Sequence, residues 1–230
     1  MKSTTLRSSI RTFAALAVAS VLLGAPVSAA TIVTNGSFES GVPGNTPGLN
    51  NGALFGNLNS SGPSWDRWRN IDGWRTVSGS GIEVQSNRTL STIDAQDGTH
   101  YVELDSNSNS RMVQTVGLKA GSYLLSFWYS PRTGAARTNP IEYNLGGIVG
   151  GKVTNGFLGA RVGSWTEILQ KVVIKKSGQY DLYFAGVGIS DSYGGLIDTV
   201  SVAPVPLPAA GFGLMAALGG LAALRKRRQR

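Results

Sequence analysis

The chain has 230 residues, no cysteine, one histidine, and 21 Lys and Arg against 13 Asp and Glu, for a formal net charge of +8. The cysteine count excludes disulfides and thiol chemistry, and the single histidine excludes multi-histidine zinc sites. The positive charge belongs to the two ends: Lys2, Arg7 and Arg11 open the chain, and Arg225, Lys226, Arg227, Arg228 and Arg230 close it, while the span from Glu39 to Asp198 is balanced. With no basic stripe and no recognition motif in that span, nucleic acid is not an expected partner.

In chain order, Lys2, Arg7 and Arg11 form a positive n-region, Phe13 to Ala25 a mostly apolar h-region, and Val27-Ser28-Ala29 a small-residue cleavage site. This is the pattern of a secretory signal peptide over residues 1–30. Residues 31–203 are then enough for one domain that buries roughly 70% of its unfolded surface.

Gly, Asn, Ser and Pro dominate from Gly41 to Ser64, and Trp65-Asp66-Arg67-Trp68-Arg69 follows. The composition predicts a long loop ending in an aromatic and basic cluster. Indole faces stack on sugar rings and guanidinium groups give directional hydrogen bonds, so Trp65, Arg67, Trp68 and Arg69 are the candidate glycan-binding residues. Packing at the end of a core accounts for the same tryptophans, and Trp74, beside Asp72-Gly73, is assigned to the core. Tyr129, Arg132 and Arg137, around Ser130-Pro131, form a second candidate group.

Beyond this loop the hydrophobic period is two. Tyr123, Leu125, Phe127 and Tyr129 alternate with Leu124, Ser126 and Trp128, a strand with one strongly apolar face. Further strands are predicted at Tyr101 to Asp105, Met112 to Leu118, Ile141 to Val149, Trp165 to Ile174, Gln179 to Val187 and Leu196 to Val202. Turn signals at Asp97-Gly98, Ala120-Gly121, Ser177-Gly178 and Gly194-Gly195 separate them. Short strands without a sustained helical pattern predict an all-β antiparallel sandwich over 31–203, with a jelly roll as the expected form.

Catalytic signals are sparse. A Ser-His-Asp triad would have to use His100, which alternates with Val102 and Leu104 as a packing residue would, and no Gly-x-Ser-x-Gly elbow is present. Glu83, Glu103, Asp105, Glu142 and Glu167 are scattered, with no spacing that demands a catalytic pair. The expectation is a non-enzyme.

In the last predicted strand Leu196, Asp198, Val200 and Val202 share a face, so an inward Asp198 needs a partner. First and last strands commonly lie close in sandwiches, which makes Glu39 a neighbour. Two adjacent carboxylates repel unless a cation sits between them, and Ca²⁺ suits oxygen ligands. Backbone N–H groups or an arginine would satisfy Asp198 as well.

Asn35-Gly36-Ser37-Phe38-Glu39, Ile71-Asp72-Gly73-Trp74, Asp97-Gly98 leading into Tyr101-Val102-Glu103-Leu104, Gln114-Thr115 and Gly121-Ser122-Tyr123 together resemble a galactose-binding-like jelly roll. The span is similar to secreted choice-of-anchor domains and to some carbohydrate-binding modules. In those modules the positions of Glu39 and Asp198 help bind a structural calcium, so the resemblance implies a structural Ca²⁺ at these two residues and polysaccharide as a partner.

The chain closes with Val205-Pro206-Leu207-Pro208-Ala209, an uncharged run to Leu224, and the basic tail. Val205 to Leu224 as a helix would extend about 30 Å, the thickness of a bilayer's hydrocarbon core. The basic end places the C-terminus in the cytoplasm. Proline motif, apolar helix and arginine-rich tail over 204–230 resemble the PEP-CTERM protein-sorting signal in its Val-Pro-Leu-Pro-Ala variant, with Leu207 where the commoner form has Glu. The resemblance implies export through the inner membrane, transient anchoring by this helix, processing by an exosortase, and a final place at the cell surface or in the extracellular matrix. A permanent single-span anchor is the simpler alternative for the same segment, and a purely structural envelope component acting through protein contacts is the alternative for the domain.

Overall fold

The computed structural model describes residues 30–40, 63–89 and 93–205. The expected signal peptide, most of the Gly41 to Ser64 loop, and the sorting segment from Pro206 onward lie outside the described residues.

Among the described residues twelve strands build two six-stranded sheets in which every strand pair is antiparallel. In chain order they are β1 (Trp65–Trp68), β2 (Asn70–Ile71), β3 (Trp74–Ser78), β4 (Ile82–Ser86), β5 (His100–Glu103) and β6 (Arg111–Leu118). They continue with β7 (Gly121–Ser130), β8 (Ile141–Leu145), β9 (Val149–Val153), β10 (Thr166–Ile174), β11 (Gly178–Gly186) and β12 (Leu196–Pro204). The first sheet has the order β1-β4-β5-β12-β7-β10 and the second β2-β3-β6-β11-β8-β9, a jelly-roll-like sandwich. Arg69 is the corner at which the chain passes from the first sheet to the second.

Alternation decides which side chains meet between the sheets. Leu125, Phe127 and Tyr129 of β7 are fully buried, as are Phe184 of β11 and Leu145 of β8. Phe127 contributes an aromatic edge-to-face seam across the two sheets, 4.9 Å from the Tyr143 ring and 5.0 Å from that of Phe184. Trp74 extends the seam, 6.0 Å from Phe184 and 6.0 Å from Phe38.

Phe38 belongs to an amino-terminal segment that clips the sandwich shut. Ile32 N–H donates to the Val202 carbonyl and Val200 N–H to the Gly36 carbonyl, both at 2.8 Å, alongside β12 where β5 no longer pairs with it. Gln114 on β6 clasps Thr34 from both sides: its Oε1 accepts Thr34 N–H at 2.8 Å, and its Nε2 donates to the Thr34 carbonyl at 2.9 Å. Gly36 permits this approach, because a Cβ there would overlap the Val200 carbonyl.

The predicted strands from Tyr101 onward are all present within a few residues, with one correction. Ile141 to Val149 is a hairpin, β8 and the start of β9, reversed at Gly146-Gly147 with φ of 59° and 69°. Three residues, Gly146 to Ile148, join the paired Leu145 and Val149, and positive φ at the first two is the conformation glycine adopts without strain. A second correction is that Trp65 to Trp68 is strand rather than the end of a loop.

The seam predicts a sharp contrast. Phe127→Ala should destabilise the protein by about 3–5 kcal/mol, as buried aromatic truncation does, whereas Leu169→Ala, on the exposed face of β10, should shift stability by less than about 0.5 kcal/mol. Urea unfolding of both variants checks this.

Candidate functional site

The first sheet is unusual in being buried on both faces near β4 and β5. Ile82, Val84 and Val102 point into the core, and alternation sends Glu83, Gln85, Tyr101 and Glu103 to the outer face, where all four are nonetheless buried. Register lines them up: Arg67 of β1 stands opposite Glu83, and Glu83 opposite Glu103; in the next row Trp65 stands opposite Gln85, and Gln85 opposite Tyr101.

Burying carboxylates demands donors. Gln85 Nε2 donates to Glu83 Oε1 at 2.8 Å and to Glu103 Oε2 at 2.5 Å. Gly194 N–H donates to Glu103 Oε1 at 2.6 Å, and Arg132 Nη1 pairs with Glu103 Oε2. Arg132 Nη1 also donates to the Ser192 carbonyl at 3.0 Å, and its guanidinium lies 4.9 Å from the centre of the Tyr193 ring. Burial, with the Glu83 charge beside it, pushes Glu103 up to about 8; burial also raises Glu83 above its ordinary value.

Glu83, Arg132, Ser192 and Tyr193 of this network, with Trp65, Ser106 and Asn107, line a cleft of about 260 Å³. Its Tyr193 wall is the β11–β12 connection, tied down by a second carboxylate: Asp105 Oδ2 accepts the Asp191 N–H at 3.0 Å and Asp105 Oδ1 the Ser190 hydroxyl at 3.2 Å. The Arg132 side of the cleft is set by Asn139, whose Oδ1 accepts the N–H groups of Arg132 and Thr133 at 3.0 and 3.1 Å. Aromatic surface with converging polar groups is a chemistry suited to sugar hydroxyls.

Of the four predicted glycan residues the structure brings only Trp65 to the cleft. Trp68 is 1% exposed and belongs to the core. The stem of Arg67 lies against Gly81, where a Cβ would stand 2.7 Å from its Cγ. Arg69 is spent at the sheet corner, donating from Nη1 to the Gly79 carbonyl at 3.1 Å. Alternation explains the split, since Trp65 and Trp68 are three residues apart on a strand and face opposite ways. Arg132 comes from the second candidate group; Tyr129 of that group is buried, its hydroxyl donating to the Asn139 carbonyl at 3.1 Å, and Arg137 is exposed outside the cleft. Glu83 and Glu103, scattered in the sequence, become neighbours through strand register alone. The paired Gly194-Gly195, read as a turn, marked the Tyr193 loop.

Glu39 and Asp198 meet the same stretch of chain, residues 96–100. Asp198 Oδ2 accepts the N–H groups of Gln96 and Asp97 at 2.8 and 3.1 Å, and Oδ1 that of Thr199 at 2.6 Å. Glu39 Oε1 accepts the N–H groups of Thr99 and His100 at 2.8 and 2.7 Å, while Oε2 takes the Thr99 hydroxyl at 3.0 Å and lies 2.8 Å from His100 Nδ1. His100 is therefore a clip between β5 and the amino-terminal segment. Burial drives Asp198 up to about 7, with the Glu39 charge acting in the same sense; for Glu39 burial is outweighed by His100 and the two N–H groups, which hold it below its ordinary value.

As a donor set for a cation the pair offers hard carboxylate oxygens and no sulfur, the chemistry of Ca²⁺. Glu39 shares each oxygen between two donors, and Asp198 Oδ1, with one, is the more open ligand. Among the described residues no group of three or more His, Asp or Glu side chains stands together, so main-chain oxygens would have to complete such a site.

No protein-family model and no curated protein sequence matches the chain. Among solved structures it is similar to an arabinose-bound α-L-arabinofuranosidase, at 12% identity and a TM-score of 0.49, over 78% of this chain and only 27% of that enzyme's length. It is also similar to a family 61 carbohydrate-binding module in complex with β-1,4-galactotriose, at 16% identity and a TM-score of 0.44, over 76% of this chain and 99% of the module. A family 35 carbohydrate-binding module from Clostridium thermocellum is similar at 20% identity and a TM-score of 0.35, over 58% of this chain and 89% of that one.

The raised acids make stability fall with rising pH. Glu103, raised from an ordinary value of 4.5 to about 8, keeps a proton in the native state that the unfolded chain gives up, so its contribution is full below 4.5 and is lost on the way to about 8. Asp198 acts with the same sign between 3.8 and about 7. Glu39 acts oppositely, its contribution being present above 4.5 and lost as pH falls through its lowered value. In chelator, the urea midpoint should be higher at about pH 5.5 than at about pH 8.5, and Glu103→Gln should reduce the difference; an equal or reversed pair of midpoints would contradict the assignment.

Proposed function

We propose that the chain is an exported, surface-sorted protein whose sandwich is a non-catalytic module holding a polysaccharide of the envelope or matrix. The observation that carries the binding part is the cleft: Trp65 and Tyr193 offer aromatic surface, and Arg132, Glu83, Ser106 and Asn107 offer hydrogen-bonding groups within it. A sugar ring stacked on an aromatic face and bonded at its hydroxyls is the interaction such a cleft supports.

A polysaccharide hydrolase is disfavoured by the same geometry. Glycoside hydrolysis needs two carboxyl groups flanking the scissile bond. Here only Glu83 lines the cleft, and Glu103, fully buried, faces Gln85, Arg132 and Gly194.

Export and sorting rest on the sequence of the two ends, and a structural Ca²⁺ on the donor chemistry of Glu39 and Asp198. Calcium would supply positive charge between two carboxylates; the chain's own part is to hold both against residues 96–100. Neutralising Asp198 would steady the segment that leads into β5, the strand carrying Glu103.

The test is binding of the full chain to purified envelope polysaccharide by affinity electrophoresis, with calcium and with chelator. Trp65→Ala and Tyr193→Ala should each cost about 2 kcal/mol, the scale of an aromatic anchor, while Arg69→Ala should leave affinity unchanged. Calcium should raise the melting temperature of the wild type and not that of Asp198→Asn. A folded protein that binds no polysaccharide overturns the glycan assignment and favours a structural component with protein partners.

Sorting has its own check. An antibody against the Arg225 to Arg230 tail should fail to detect the mature protein in cells with an exosortase, and should detect it when the exosortase is deleted. Persistence of the tail in both would leave a permanent anchor.

A further inference from the structure

Glu83 and Glu103 are buried, directly opposed across β4 and β5, and joined by one amide nitrogen. The other end of that amide, Gln85 Oε1, is buried with no hydrogen-bond partner among the described residues. Two buried carboxylates opposed in this way and served by one amide nitrogen need a proton on one of them to relieve their repulsion, and the amide can go on donating to the free oxygens of both.

The surrounding charges do not remove this need. Arg67 of β1 stands opposite Glu83, and Arg132, from the β7–β8 connection, is bonded to Glu103. Asp105, just beyond β5, and Asp191, in the β11–β12 loop, add negative charge, and β12 places Leu196 opposite Glu103. Like charges at directly opposed positions repel, and burial withholds the water that would screen them.

Glu103 is also the anchor of the cleft wall. It holds Gly194 N–H and Arg132, and Arg132 in turn holds the Ser192 carbonyl and lies over Tyr193. We infer that Glu83 and Glu103 share a single proton, and that its release loosens the Ser192–Tyr193 wall and makes ligand binding in this cleft pH-dependent. The binding consequence rests on the glycan assignment above; the proton does not. Burial and mutual repulsion place the release in the neutral to mildly alkaline range, Glu103 rising to about 8. Below that range the pair carries one charge; above it two directly opposed buried charges repel across β4 and β5 and displace Glu103 from the wall it anchors, so the closed wall is the acid-side form.

The experiment is a ligand-free titration of the full chain from about pH 5.5 to about pH 9.5, following the Glu83 and Glu103 carboxyl ¹³C and the Gly194 amide ¹⁵N by NMR. All three resonances should move with a common midpoint within about one unit of pH 8, and in Glu83→Gln the Gly194 amide should stay flat. Carboxyl resonances that do not move in the wild type overturn the shared proton, whether or not the variant folds; carboxyls that move without Gly194 overturn the coupling to the wall. With polysaccharide added, Kd should rise by up to about tenfold per pH unit above the midpoint, the limit for one linked proton. A pH-independent Kd overturns the switch alone, whereas a protein that titrates as expected and binds nothing overturns the glycan assignment alone.

Discussion

Strands β4 and β5 are buried on both faces, and that constraint organises the rest of the molecule. On the inner face Ile82, Val84 and Val102 remove apolar surface from water, the ordinary driving force of a sandwich. On the outer face Glu83, Gln85 and Glu103 can be buried only if other parts of the chain supply donors. Arg132 and Gly194 do so from two connections far apart in sequence. The cleft is a product of that requirement, since the loops that satisfy Glu103 are the ones that carry Arg132, Ser192 and Tyr193 to its edge.

A second carboxylate arrangement acts where the amino-terminal segment meets the last strand. Glu39 and Asp198 collect the N–H groups of Gln96, Asp97, Thr99 and His100, fixing the path into β5. The amino-terminal segment continues this closure along β12 and reaches the second sheet through Gln114 and Trp74, whose Nε1 donates to the Asn35 carbonyl at 3.1 Å. With no cysteine to cross-link the ends, main-chain pairing and buried carboxylates hold the sandwich shut. β5 belongs to both arrangements, so a cation or proton at Asp198 acts on the strand that presents Glu103.

The proposed function draws on the polar side of the first sheet rather than on the Trp65 to Arg69 cluster as a whole. Trp65 and Trp68 look equivalent in the chain, yet one lines the cleft and the other fills the core. Arg132 looked secondary and is central, because the β7–β8 connection folds back over β5 under the direction of Asn139. The β11–β12 loop adds Tyr193, which no motif flagged. The proposed sugar binding in the cleft, the proposed sorting by the tail and the proposed proton shared by Glu83 and Glu103 are separable, one residing in side-chain display, one in the chain's end, and one in burial.

Local alternation was enough to make β5 to β8 and β10 to β12 legible, because apolar and polar residue types alternate along each, whereas β9, Val-Gly-Gly-Lys-Val, has no such pattern and its start was read as the end of β8. It missed β1 to β4: β2 has only two residues, while the alternation of Ile82-Glu83-Val84-Gln85 was a short period-two signal left unread. The Gly146-Gly147 hairpin was legible in principle, being a two-residue positive-φ signal inside an alternating run. The lone carboxylate on an apolar strand face made Asp198's need for partners legible, whereas Glu39, expected beside it as part of a first strand, reaches the same stretch of chain from a segment that is not a strand. By itself the sequence determined the all-β class, the neutral body with its two basic ends, and the need of Asp198 for partners, since each follows from composition or from neighbours along one strand. Only the tertiary structure decided which carboxylates meet, which tryptophan reaches the cleft, and which loop walls it. Those depend on register between strands distant in sequence, and one residue of slip would send every side chain to the opposite face.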